Sequence, residues 1–118
     1  MNLEGTHWQL SAMRSGQEES APVAAAARVT LQFQGGRING SAGCNRFFGA
    51  YAAEGNKLAI TAIGTTRMAC PEPQMTLERA YLAGLHTITT FESVADQLHL
   101  ADAMGDTTLI FTRVPPEQ

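Results

Sequence analysis

Arg28-Val29-Thr30-Leu31-Gln32-Phe33-Gln34-Gly35-Gly36-Arg37-Ile38-Asn39-Gly40-Ser41 is the stretch on which the fold turns. Val29, Leu31 and Phe33 alternate with Thr30, Gln32 and Gln34, the period of a strand with one face on a core and the other in water. Gly35-Gly36 then sets two residues free to take positive φ between alternating segments. That signals a tight hairpin, so Arg37 to Ser41 is expected to return antiparallel.

Working outward, Phe47 to Ala53 reads as a further strand carrying Phe47, Phe48 and Tyr51. The turn Glu54-Gly55-Asn56 feeds Lys57 to Ile63, where Leu58 and Ile60 alternate. Upstream, Trp8 and Leu10 share one face of a short strand, His7 to Leu10, and Trp8 is the strongest core anchor. Arg14 to Ala27, polar and then alanine-rich around Pro22, reads as a connector that includes Glu18-Glu19. Downstream, Pro71-Glu72-Pro73 interrupts the strand pattern. Leu77, Ala80, Tyr81 and Leu85 then recur at helical spacing, which predicts one helix over about residues 73–85 with Pro73 in its first turn. Strands follow at Thr87 to Phe91, Gln97 to Ala101 and Thr107 to Arg113, the last stopped by Pro115-Pro116. The expected fold class is α+β: an antiparallel β-rich sheet or partly closed barrel of about seven to eight short strands packed on one helix. Residues 1–118 form a single domain, the size at which one hydrophobic core closes without a metal or several disulfides.

Apolar residues make up 44% of the chain and charged residues 16%, a balance that argues against disorder. The formal charge is −3, and the cations are Lys57 and seven scattered arginines, so no clustered footprint for nucleic acid or anionic lipid is apparent. No apolar run approaches the roughly 20 residues of a membrane helix, and Met1-Asn2-Leu3-Glu4-Gly5 lacks the pattern of an export signal. Membrane attachment is therefore expected only through a lipid anchor outside this chain.

Two segments are not explained by strand alternation: Gly43-Cys44-Asn45-Arg46 and Thr65-Thr66-Arg67-Met68-Ala69-Cys70. Asn45 offers an amide that can tie down loop backbone, and Arg46 and Arg67 supply planar donors, so Asn45, Arg46, Thr66 and Arg67 are candidate binding residues beside Phe47 and Tyr51. Each also has an ordinary loop-building role. Cys44 and Cys70 are spaced wrongly for a redox Cys-x-x-Cys or a zinc knuckle. A bridge between them would constrain the unfolded chain by roughly 3 to 4 kcal/mol, and two buried free thiols are the alternative. A reactive cysteine near His86 is a third reading, with no group in the sequence to orient it. His7, His86 and His99 are isolated, Glu18-Glu19, Asp96, Asp102 and Asp106 belong to the connector and turns, and Met68, Met75 and Met104 read as core or loop filler. With no phosphate loop and no nucleophile elbow, no catalytic residue, metal or cofactor is expected.

Taken together, Trp8-Gln9-Leu10, Phe33, the run from Gly40 through Cys44-Asn45-Arg46-Phe47-Phe48 to Tyr51, Thr65-Thr66-Arg67-Met68-Ala69-Cys70 and the helix that follows resemble the META domain, or HslJ-like, family. The resemblance spans nearly the whole chain, with Leu98, Leu100, Leu109 and Phe111 where the family's closing hairpin lies. It implies a cell-envelope protein, periplasmic or an outer-membrane lipoprotein, with a β-rich sheet wrapped around a helix and no established enzymatic activity. It also implies links to heat shock, novobiocin resistance, and secretion or motility, and a likeness to secretion pilotins that hold lipid or a partner segment. The function expected is a non-enzymatic envelope binding or stress-accessory domain. It would act as a monomer and hold a peptide, protein segment or apolar ligand in a groove between sheet and helix lined by Phe47, Tyr51 and Leu85. The alternatives are a cysteine-dependent enzyme and a purely structural envelope domain.

Overall fold

The Gly35-Gly36 hairpin forms: β3 (Thr30–Gln34) returns as β4 (Arg37–Ser41), with Phe33 opposite Ile38 and Gln34 opposite Arg37. Both glycines lie in the left-handed region, φ 65° and 74°, which side chains resist. The computed structural model describes residues 3–15, 21–24 and 27–114. Antiparallel pairing continues through β5 (Arg46–Glu54), β6 (Lys57–Thr65), β7 (Ile88–Val94), β8 (Gln97–Asp102) and β9 (Thr107–Arg113). Strand β9 then pairs with β1 (His7–Ser15), and β1 with β3, so eight strands close into a barrel.

Strand β1 runs five residues beyond Leu10. At Ser11 a bulge shifts the register between Leu10 opposite Phe111 and Ala12 opposite Ile110, and the Ser11 hydroxyl donates to the Ile110 carbonyl at 3.0 Å. The expected connector is thus partly sheet, since Ala21–Pro22 forms a two-residue strand, β2, against Ala12 and Met13. Glu18-Glu19 and the stop expected at Pro115-Pro116 lie outside the described residues.

Helix α1 (Gln74–Thr87) links β6 to β7 and plugs the barrel. Tyr81 and Leu85 are fully buried. The Tyr81 ring meets Phe47 and Phe111 edge-on at 5.6 and 6.2 Å, and its hydroxyl donates to the Thr30 carbonyl at 3.1 Å. Pro73 caps the helix without a side-chain bond, and Ala80 is exposed. Around the plug the inward residues of the strands form one core: Trp8, Leu10, Val29, Leu31, Phe33, Ile38, Leu98, Leu100, Leu109 and Phe111 are all buried. Each such side chain contributes about 1.5 to 3 kcal/mol.

The barrel is unevenly stitched. In β6 a bulge sets Ala62 and Ile63 opposite Gly49, between Phe48 opposite Gly64 and Ala50 opposite Thr61, and Ala62 takes φ 56°. Bulges bend and over-twist a strand. Beyond it, β6 and β7 share one residue pair, Lys57 with Thr90, reinforced by the Phe91 amide on the Asn56 carbonyl at 2.9 Å.

Candidate functional site

The two unexplained sequence segments meet. Strand β5 begins at Arg46, so the preceding Gly43-Cys44-Asn45 turn projects at the barrel end where the β6–α1 loop passes. There Cys44 and Cys70 form a disulfide with Cα atoms 6.0 Å apart. Of the three states open for these cysteines, the bridge is the one formed, and neither sulfur is a free thiol.

Asn45 lies beneath the bridge, 3% exposed, with its amide fully used. Its Nδ2 donates to Glu78 Oε2 at 2.8 Å and to the Met68 carbonyl at 3.1 Å. Its Oδ1 accepts from the Thr66 hydroxyl at 2.9 Å and the Met68 amide at 2.6 Å, and its backbone N–H reaches Glu78 Oε1 at 2.6 Å. One side chain therefore ties the β4–β5 turn, the β6–α1 loop and the helix together. Thr66 serves the same knot, its hydroxyl also accepting from the Arg46 amide at 3.1 Å. Glu78 is 5% exposed, and no cation lies within ion-pair distance among the described residues. A carboxylate so placed depends on its hydrogen bonds to offset desolvation.

The guanidinium groups of Arg46 and Arg67 face outward, whereas the Phe47 ring is buried in the core. Met68 and Met104 are exposed in the β6–α1 loop and the β8–β9 turn, so of core or loop filler they are loop residues. Asn45, Thr66, Arg67, Met68 and Met75 border a shallow depression of about 400 Å³.

Tyr51 sits at the other end of β5. Its hydroxyl donates to Glu4 Oε1 at 2.6 Å, and Glu4 also takes the Gly35 and Gly36 amides of the β3–β4 turn. The hydrogen bond from Tyr51, then those from Gly35 and Gly36, hold the Glu4 carboxyl below the usual carboxylate range. Desolvation, then the hydrogen bond and charge of Glu4, push the Tyr51 phenol up to about 12. With Phe47 and Leu85 inside the core, the expected groove of Phe47, Tyr51 and Leu85 is absent among the described residues.

An apolar cleft does lie elsewhere, at the β6–β7 seam, where His86 is the one helix residue on its lining. It measures about 470 Å³ and is lined by Ala52, Ala53, Leu58, Ala59, Ile60 and Ile88, with Glu54, Lys57 and His86 at its margin. Sequence reasoning missed this cleft and Glu78. Glu78 precedes Tyr81 by three residues and Leu85 by seven, so a charged residue on the apolar stripe was the available signal. The cleft left no local signal, because it arises where strands distant in sequence fail to pair.

The histidines lie on different elements: His7 is in β1, His99 in β8 meets Gln97 at 3.1 Å, and His86 is in the last turn of the helix. Among the described residues no three His, Cys, Asp or Glu side chains gather as metal ligands. No helix among them is long and apolar enough to cross a membrane.

Fold and site together define a helix-plugged antiparallel barrel whose loops are tied by one disulfide. The META domain matches residues 1–115, and the chain belongs to that family. It is similar to a protein from Burkholderia xenovorans solved by NMR, with 35% identity and a TM-score of 0.82 over 97% of this chain and 85% of that one. A second NMR structure is 27% identical, with a TM-score of 0.68 over 93% and 90% of the two chains. A crystal structure of a DUF4847 family protein from Bacteroides vulgatus shares the fold at 13% identity, with a TM-score of 0.71 over 98% and 96%. A comparison with curated proteins found no match.

Proposed function

We propose that this META domain is a non-enzymatic binding module of the cell envelope, a stress-accessory domain that holds a peptide or protein segment, or an apolar ligand, at the β6–β7 seam. The observation that carries this reading is the apolar cleft beside a pair of strands joined by one residue pair. Backbone groups left without a ladder partner accept an extended segment, and the apolar lining rewards burial of its side chains. The disulfide suits an oxidising compartment such as the periplasm, as a monomer there or as an outer-membrane lipoprotein.

The test is an amide NMR titration of the oxidised protein with a short peptide that alternates valine and threonine. The expected shifts fall on Lys57–Ile60 and His86–Thr89, and Ala59→Asp abolishes them. Shifts spread evenly over the barrel, or unaffected by the substitution, contradict the reading.

A further inference from the structure

Exposed arginines lie near the disulfide. Although the chain bears a net charge of −3, three exposed arginines border the Cys44 turn. Arg46 begins β5, Arg67 follows Thr66, whose amide donates to the Arg46 carbonyl at 3.0 Å, and Arg28 precedes the bridge of Val29 with Ala42. None is in an ion pair among the described residues, where Arg79 with Glu72 is the pair formed. The nearby carboxylates are engaged: Glu78 is buried beneath Asn45, and Glu72 holds Thr76 and Arg79. Among the described residues no carboxylate is therefore paired with Arg28, Arg46 or Arg67.

Apolar groups lie beside these arginines. Phe48, two residues along β5 from Arg46 and on the same outer face, is 56% exposed, and Met68 is 55% exposed. Arg67 and Met68 line the 400 Å³ depression over the knot, whose backbone the bridge and the Asn45 bonds hold in one arrangement. A preorganised surface spends less of its binding free energy on ordering loops.

We infer that this depression, with Arg67 in its lining and Arg46 beginning the adjacent strand, is a second docking surface, independent of the seam, for an acidic peptide segment of a partner protein with carboxylates flanking apolar side chains. Charge complementarity selects the occupant: Arg46 and Arg67 offer planar forks that match carboxylates, while Phe48 and Met68 give the intervening side chains a dry contact.

The test titrates the full oxidised chain, followed by amide NMR, with a short peptide alternating aspartate and phenylalanine and with its counterpart carrying asparagine for aspartate. The aspartate peptide is expected to shift the amides of Arg46, Arg67 and Met68 and to bind roughly tenfold tighter than the asparagine peptide at low salt. Arg46→Glu with Arg67→Glu is expected to weaken it by about tenfold or more with an unchanged thermal melt. Should that variant melt early, Arg46→Gln with Arg67→Gln reads the same loss. Equal binding of both peptides, or shifts confined to the seam, overturns the inference. So does tighter binding at these amides by phosphatidylglycerol–phosphatidylcholine vesicles or a single-stranded oligodeoxynucleotide, since the occupant is then a membrane or a nucleic acid.

Discussion

Asn45 and Glu78, 33 residues apart in the chain, are locked face to face: the Asn45 backbone N–H and Nδ2 donate separately to the two carboxylate oxygens of Glu78, at 2.6 and 2.8 Å. The pair fixes the helix to the loop that carries the disulfide, so the plug and the barrel rim cannot move independently.

Asn45→Ala removes four side-chain hydrogen bonds and leaves the buried Glu78 carboxylate with one donor from Asn45. A loss of about 3 kcal/mol is expected in urea unfolding. Glu78→Gln turns an amide NH₂ toward one of the Asn45 donors and costs less, about 1 to 2 kcal/mol. A loss below about 0.5 kcal/mol for Asn45→Ala would place it among ordinary surface substitutions.

The disulfide closes a sequence separation of 26 residues, which corresponds to roughly 3 to 4 kcal/mol of unfolded-state constraint. In the oxidised protein Cys44→Ala and Cys70→Ala should lower the melting temperature equally, and the double variant should be little worse than either. Additive losses would mean that the two sulfurs stabilise the fold separately.

Gly40 sits under the Thr30 carbonyl, the same oxygen that receives the Tyr81 hydroxyl. A Cβ there would lie 2.4 Å from that oxygen and 3.0 Å from the Phe47 ring, so the strand or the plug must shift. Gly40→Ala is expected to cost about 2 to 3 kcal/mol in chemical denaturation, and a neutral result would contradict the close approach.

The Glu4–Tyr51 contact gives the fold two pH limbs of opposite sign. The lowered Glu4 carboxyl contributes stability that is present above its unfolded value of 4.5 and is lost as pH falls below it. The raised phenol of Tyr51 contributes stability that is complete below 10.0 and lost as pH climbs toward about 12. Ultraviolet titration should show one tyrosine ionising near 12, moved downward by Glu4→Gln. The other, Tyr81, is buried, which holds it well above the ordinary phenol range, and it should ionise only on unfolding. A native tyrosine ionising near 10 would break the account of this contact.

Much of the barrel was legible because strand alternation and glycine turns are local. Val29, Leu31 and Phe33 face inward as their period demands, and Leu98, Leu100, Leu109 and Phe111 close the core. The sequence pattern ends β1 at Leu10, five residues short, because the bulge at Ser11 breaks the period of two there. Phe48 falls on the outer face for the opposite reason: it follows an inward Phe47 in an unbroken strand, so two adjacent aromatics cannot both reach the core. The helical spacing puts Ala80 inside, whereas Ala80 is exposed and Glu78 buried, since hydrophobicity alone orients a helix stripe and Asn45, the partner that admits a carboxylate, lies on a distant turn. The motif residues that meet, Cys44, Asn45, Thr66 and Cys70, do so through pairings that no stretch of sequence specifies by itself. The β6–β7 seam depends on the same long-range geometry.

Native-state amide hydrogen exchange on the ligand-free oxidised protein tests the seam most directly. The β1–β9 closure, at Ala12, is expected to exchange only with global unfolding, whereas Ile60 in β6 and Ile88 in β7 should exchange through local opening at least about a hundredfold faster. Protection of Ile60 and Ile88 equal to that of the closure would mean a fully stitched barrel with no edge for a segment to join, and would contradict the proposed function.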